Sequence, residues 1–217
     1  MKPNPILPSA AKVIGIDFDN TIISYDDIMH SLALERKFIN SSVPKNKKEV
    51  RDTIRKLPEG DLKWQQIQAE AYGRAISGAV IHAGVKEFLS ACKKQKIPVY
   101  IVSHKTEYSN LYKNSGVNLR EAALSWMQKH LFQDAQLGLT AKQVFFESTR
   151  EEKIKRLHQL GCTHFIDDLM EIFSNQNFPQ RVQKILYADH SEPRQEVKKN
   201  NVLALKDWRE IHEHFFT

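Results

Sequence analysis

Asp17 and Asp19 stand one residue apart, directly after a short apolar run. Because alternate residues of an extended chain point the same way, their carboxylates are predicted to face one region, while Phe18 turns into the packed interior. Two carboxylates this close both stay ionised only if a cation lies between them; otherwise the pKa of one rises and that group can donate a proton. An Asp-x-Asp sequence is also common at ordinary turns, so the pair needs support from other motifs.

Ser103 ends a second apolar run and is followed by His104. A hydroxyl there, together with nearby backbone N–H groups, can donate hydrogen bonds to a phosphoryl oxygen. A serine at a strand end is more often a turn former or a helix cap, and that alternative stays open. His104 is interpreted as structural or adjacent to a substrate, and with Ser103 it forms a candidate phosphate-binding pair.

Lys153 is predicted near the start of a helix, after residues suited to capping it. A lysine in that place can offset the negative charge of a phosphoryl group and of the aspartates. Most helical lysines are solvated, and Lys142 and Lys155 are alternatives. Lys153 is favoured because an apolar stripe lies beside it, formed by Ile154, Leu157 and Leu160.

Asp167 and Asp168 end a further apolar run. Adjacent carboxylates at the end of a buried strand are costly unless a hard cation or a hydrogen-bond donor meets them. An oxygen-rich site of this kind suits Mg²⁺ better than a histidine site would.

Together these four motifs resemble the phosphatase branch of the haloacid dehalogenase-like superfamily. The first is Asp17-Phe18-Asp19-Asn20-Thr21, and Ser103, Lys153 and the Asp167-Asp168 pair follow in the family's order. The last pair departs from the commoner Gly-Asp. The resemblance covers the predicted core on both sides of an inserted segment. The second acid, Asp19, argues against the dehalogenase members, which lack it.

The resemblance implies a Mg²⁺-dependent phosphomonoester hydrolase acting on a small phosphorylated metabolite through an aspartyl-phosphate. It makes Asp17 the nucleophile and Asp19 the general acid and base, with Ser103 and Lys153 contacting the phosphate. It assigns the metal to Asp17, Asp168 and the Asp19 backbone carbonyl, with Asp167 in a supporting role behind these ligands. The alternatives are a phosphotransferase or phosphomutase that uses the same aspartate, and a noncatalytic or nucleic-acid-binding module.

Six short apolar runs are predicted as strands, and segments with helical spacing alternate with them. The runs are residues 12–17, 97–103, 144–147, 164–167, 184–188 and 201–205. Such alternation predicts an α/β fold: a Rossmann-like parallel sheet with helices on both faces. Ligands bind beyond the carboxyl ends of the strands in such sheets, and all four motifs are predicted there.

About 75 residues separate the first predicted strand from the second, far more than a crossover needs. We interpret residues 24–80 as an inserted helical cap, with helices around 28–38, 47–57 and 62–76, and residues 1–23 and 81–217 as the core. Trp64, Tyr72 and Arg74 could stack on or bind a leaving group, but the two aromatic residues are expected in the core of the cap. Its basic run is expected on a solvated helix face, and consists of Lys45, Lys47, Lys48, Arg51 and Arg55.

The 217 residues carry 32 basic and 26 acidic side chains, a formal charge of +6 that suits anionic partners. The basic residues are scattered without interleaved aromatic residues, which argues against nucleic acid. Two cysteines support neither a disulfide framework nor a zinc site. No secretory segment or membrane span is expected, so the sequence predicts a cytoplasmic protein without membrane association. It predicts no oligomeric state.

Overall fold

The computed structural model describes residues 11–111, 116–188 and 194–217. The initial segment, where no secretory signal is expected, lies outside them apart from residue 11. The strands of the described residues are β1 (Ile14–Ile16), β2 (Ile23–Ser24), β3 (Val80–Ile81), β4 (Val99–His104), β5 (Val144–Glu147), β6 (His164–Asp167), β7 (Gln183–Tyr187) and β8 (Val202–Leu205). Six of them form one parallel sheet in the order β5-β4-β1-β6-β7-β8. All six predicted strands are confirmed, with ends that differ by two residues or fewer.

The α-helices of the same residues are α1 (Asp26–Glu35), α2 (Lys47–Arg55), α3 (Gly60–Tyr72), α4 (Val85–Lys94), α5 (Leu119–Met127), α6 (Arg150–Gln159), α7 (Met170–Phe173), α8 (Arg194–Lys199) and α9 (Trp208–Phe216). Short 3₁₀ turns occur at Ile76–Gly78, Ala135–Leu137 and Ala141–Gln143, and a π-helical turn at Gln128–Phe132 follows α5. None of these helices is both long and apolar enough to cross a membrane.

The central strands are buried on both faces, which explains why their sequences are continuous apolar runs. Neighbouring residues Phe165 and Ile166 of β6 point to opposite faces and belong to two separate apolar clusters. The first cluster includes α4 and α9, and the second includes α6. The predicted α/β sheet with helices on both faces is therefore confirmed.

Gly15 leaves room for α6 to pack directly against β1. A Cβ atom at this position would lie 2.9 Å from Leu157 Cδ2 and 2.9 Å from Phe165 Cδ2, closer than carbon atoms tolerate. Leu157 belongs to α6, so the missing side chain allows this helix to approach the strand that carries Asp17. The spacing between the two elements sets the position of Lys153, which α6 also carries.

Helices α1, α2 and α3 lie between β2 and β3 in the chain and contact one another. The two short strands pair antiparallel, with Ile23 opposite Ile81 and Ser24 opposite Val80, so both connections to the insertion run side by side. The sequence reasoning missed this pair, because two-residue strands leave no readable alternation. The three helices occur where expected, and their assignment to a separate cap domain stays a prediction.

Candidate active site

The carboxyl ends of three adjacent strands bring the predicted motifs together. Strands β4, β1 and β6 are neighbours, and Ile16 of β1 pairs with Ile101 of β4 and with Ile166 of β6. Asp17 directly follows β1, Asp167 ends β6, and Ser103 is the fifth residue of β4. The parallel arrangement therefore places all three at one edge of the sheet.

Lys153 connects two of the aspartates. Its Nζ lies 2.6 Å from Asp17 Oδ1 and 2.6 Å from Asp167 Oδ2, and all three side chains are buried. Helix α6 begins with a capping box in which Thr149 and Glu152 bond each other's backbone N–H, which fixes the turn that carries Lys153. The alternatives Lys142 and Lys155 are exposed.

The electrostatics of this ion cluster are strongly perturbed. Burial raises the pKa of Asp17 to about 7; Lys153 opposes the rise, and Asp167 and Asp19 add to it. Burial alone would lower the pKa of Lys153, but Asp167 and Asp17 raise it above its ordinary value. Lys153 is therefore held as a cation between the two carboxyl groups.

Asp17, Asp167 and Asp168 form an acidic cluster in which one ligand atom from each lies within 4.8 Å of the others. Burial raises the pKa of Asp168 well above its ordinary value; Lys47 opposes this shift, and Asp167 and Asp17 reinforce it. Three carboxyl groups this close together suit a hard cation, whose charge would offset their repulsion. The donor set of this cluster therefore fits Mg²⁺.

Asp19 is held apart from that cluster by contacts of its own. Its Oδ2 lies 2.8 Å from Lys105 Nζ, and its Oδ1 accepts a 2.6 Å hydrogen bond from the Tyr25 hydroxyl. The Asp19 carboxylate is thus oriented from both sides and is not among the clustered carboxylates. The prediction gives the metal only the backbone carbonyl of Asp19, and these side-chain contacts do not involve that carbonyl.

Sequence reasoning missed Lys105 and Tyr25. Lys105 is buried, lies 5.0 Å from the centre of the Tyr72 ring, and follows the Ser103-His104 pair directly. A signal for it was therefore present, as a third polar residue at the same strand end. Tyr25 is also buried and lies just before α1, where nothing in the sequence points toward Asp19.

Ser103 and His104 differ in their surroundings. The Ser103 hydroxyl is buried and has no hydrogen-bond partner among the described residues, although it lines the cavity at the strand ends. A buried donor without a partner costs free energy, and a ligand oxygen in the cavity would satisfy it. His104 is exposed, and its Nε2 lies 3.0 Å from the carbonyl oxygen of Ser148. Partial burial of its ring lowers the pKa of His104, and the bond to Ser148 opposes this.

A cavity of about 400 Å³ joins the sheet edge to the inserted helices. On the sheet side it is lined by Asp17, Asp19, Asp168, Ser103, His104, Lys105 and Lys153. On the inserted side it is lined by Lys47, Arg51, Arg55, Trp64, Gln68 and Tyr72. All the predicted site residues except Asp167, which lies behind Lys153, therefore face one space.

The expectation of a solvated basic face was wrong for two of the five residues, Lys47 and Arg51, which are only partly exposed. Lys45 and Lys48 are exposed, as expected, and Lys45 pairs with Asp27 at 3.2 Å. Arg55 is exposed too, and it lines the cavity together with Lys47 and Arg51, because α2 turns that side toward the strand ends. Trp64 is buried in the apolar core, as expected, and also reaches the cavity wall.

Comparison with protein-family models gives no match, and comparison with curated sequences gives none either. Solved structures do match. A haloacid dehalogenase-like hydrolase from Streptococcus pneumoniae has a TM-score of 0.61 at 11% identity, covering 94% of this chain and 98% of its own.

Two further structures are similar over nearly their full length. A protein from Clostridium acetobutylicum described as a predicted phosphatase has a TM-score of 0.59 at 12% identity, with 95% and 99% coverage. A HAD family hydrolase from Deinococcus radiodurans, solved with bound phosphate and sodium, has a TM-score of 0.56 at 13% identity, with 94% and 95% coverage. The chain therefore has the haloacid dehalogenase-like fold.

Proposed function

We propose that this protein is a Mg²⁺-dependent phosphomonoester hydrolase acting on a small phosphorylated metabolite. The observation that carries the proposal is the buried Lys153 bridge between Asp17 and Asp167, which lies in the same site as the unpartnered Ser103 hydroxyl. The phosphate bound by the Deinococcus radiodurans hydrolase and the description of the Clostridium acetobutylicum protein support the same chemistry on this fold.

In the first step, an oxygen of Asp17 forms a bond to phosphorus while the bond from phosphorus to the leaving oxygen breaks. The leaving oxygen takes its proton from the Asp19 carboxyl group. In the second step, Asp19 accepts a proton from water, and the water oxygen bonds to phosphorus as the Asp17–phosphorus bond breaks. Inorganic phosphate leaves and Asp17 is regenerated.

The surrounding residues make this attack feasible. A carboxylate repels a phosphate dianion, so positive charge is needed between them. Lys153 supplies one such charge beside Asp17, and Ser103 and His104 supply donors for the phosphoryl oxygens. Mg²⁺, held by Asp17, Asp168 and the backbone carbonyl of Asp19 with Asp167 behind them, would supply the rest of the charge neutralisation. Lys105 and Tyr25 orient Asp19 for its two proton transfers.

The test is hydrolysis of p-nitrophenyl phosphate by the purified protein, with Mg²⁺ and with a chelator. Release of nitrophenol is expected with Mg²⁺ alone, and Asp17→Asn is expected to abolish it, because an amide cannot replace the attacking carboxylate. Asp27→Asn is the matched control, because Asp27 is exposed and lies outside the cavity. Equal turnover by Asp17→Asn and the control would remove Asp17 from the nucleophile role.

A further inference from the structure

Helix α2 carries two parallel stripes of residues. Val50 and Ile54 are fully buried in the apolar core and anchor the helix. The adjacent stripe consists of Lys47, Arg51 and Arg55, each four residues from the next, and it faces the cavity. Residues four apart share a helix face and are separated by about 6 Å along the axis, so the three cations form a row about 12 Å long.

The row begins at the candidate phosphate site. Burial would lower the pKa of Lys47, but Tyr72 and the carboxylates of Asp168, Asp19 and Asp17 raise it. Lys47 lines the same cavity as Asp17, Asp19 and Asp168, whose charges act on it. Arg51 and Arg55 follow one and two turns later, about 6 and 12 Å along the helix axis from Lys47, and line the same cavity.

The residues that line the cavity carry more cations than carboxylates. Five cationic side chains and three carboxylates line it. Lys105 and Lys153 already contact aspartates of the site. Arg51 and Arg55 each bond a neighbouring aspartate through Nε at 2.8 Å, to Asp52 and Asp61 respectively.

Those arginine contacts leave capacity for a ligand. Both partner side chains are well exposed, with relative accessibilities of 43% for Asp52 and 77% for Asp61, so these ion pairs are weak. A guanidinium has five N–H donors, and a bond through Nε leaves the remaining ones available to a second anion.

We propose that Arg51 and Arg55 form a second anion subsite, so that the substrate is a small phosphomonoester bearing another anionic group, a phosphate or a carboxylate. The inference rests on the proposed function, since it takes the reacting phosphate to lie at Asp17. Lys47 lies between the two groups. Trp64 and Tyr72 of α3 form the wall along the connecting part of the substrate.

The experiment compares substrates that differ only in the second anion: hexose 1,6-bisphosphate with hexose 6-phosphate, and 3-phosphoglycerate with glycerol 3-phosphate. In at least one of the two pairs, the wild type is expected to prefer the doubly anionic compound over its partner by at least about tenfold in kcat/KM. That factor is the effect of one charge-assisted contact. Arg51→Gln and Arg55→Gln are each expected to reduce that ratio about tenfold. Lys48→Gln, on the exposed face of the same helix, makes the same change of charge and is expected to preserve it.

Binding without turnover separates this inference from the proposed function. Calorimetry on Asp17→Asn, with and without Arg51→Gln, measures the dissociation constants of the same four compounds. The subsite is supported if a doubly anionic compound binds more tightly than its partner and Arg51→Gln weakens that binding. This holds even if the wild type hydrolyses nothing. Equal binding of both members of each pair, or hydrolysis with no preference for the second anion, would overturn it and leave the phosphatase proposal standing.

Discussion

Replacing Lys153 with methionine keeps most of the side-chain volume and removes the charge between Asp17 and Asp167. The lost contacts are two ion pairs of 2.6 Å, made by a side chain whose relative accessibility is 2%. Removing one partner of a buried ion pair typically costs about 3–5 kcal/mol, because the remaining charge is left without compensation. Here two carboxyl groups lose their shared cation, so we expect the free energy of unfolding to fall by an amount in this range.

Catalysis should suffer separately from stability. Removing one preorganised group that stabilises transition-state charge typically lowers kcat by about 10²–10³. We therefore expect Lys153→Met to lose p-nitrophenyl phosphate turnover by that factor under conditions where it is fully folded. Added Mg²⁺ should recover part of the lost stability, since it would provide a new cation beside the same carboxylates.

Urea denaturation with and without Mg²⁺, followed by steady-state kinetics, measures both effects. Lys155→Met is the matched control, because Lys155 lies on the same helix and is exposed. A free energy of unfolding within about 1 kcal/mol of the control, with equal turnover, would refute the assigned role of the bridge.

Gly15→Ala should lower the free energy of unfolding by about 1–3 kcal/mol, because its Cβ would overlap Leu157. An unchanged midpoint in urea denaturation would contradict the close packing. Lys105→Met should lower kcat for p-nitrophenyl phosphate about tenfold or more with little change in KM, since it removes one of the two contacts that orient Asp19. A changed KM at constant kcat would indicate that Lys105 binds the substrate instead. Asn46→Ala should lower the free energy of unfolding by about 1 kcal/mol, since it removes the N-terminal cap of α2. An unchanged melting temperature would show that tertiary contacts alone fix that helix end.

The parts of the site that could be predicted from sequence are those set by local pattern. The strand before Asp17 is readable because burial on both faces requires a continuous apolar run. Lys153 is distinguishable from Lys155 because the apolar stripe of α6 shows which side faces the sheet. Parallel pairing then brings the strand ends together without further information.

The parts that could not be predicted depend on how distant elements are oriented. The stripe of α2 that contains Arg51 looks like any solvated basic face, because nothing local says that a cavity lies opposite it. The bond from Tyr25 to Asp19 depends on the turn at Asn20, whose φ of 62° brings the chain back toward the sheet edge. The pairing of β2 with β3 joins residues nearly 60 positions apart and leaves too short a pattern to read.

The pairing of β2 with β3 also divides the site along the chain. Asp17, Lys153 and Asp167 all belong to the sheet and α6, whereas Tyr25 and the row on α2 lie between the two paired strands. Since the chain leaves and re-enters the sheet region through adjacent residues, the intervening segment can vary in length and composition without altering the ends where it joins. Selection could therefore change the lining of the cavity by replacing one continuous stretch of sequence after Tyr25, while Asp17, Lys153 and Asp167 keep their geometry.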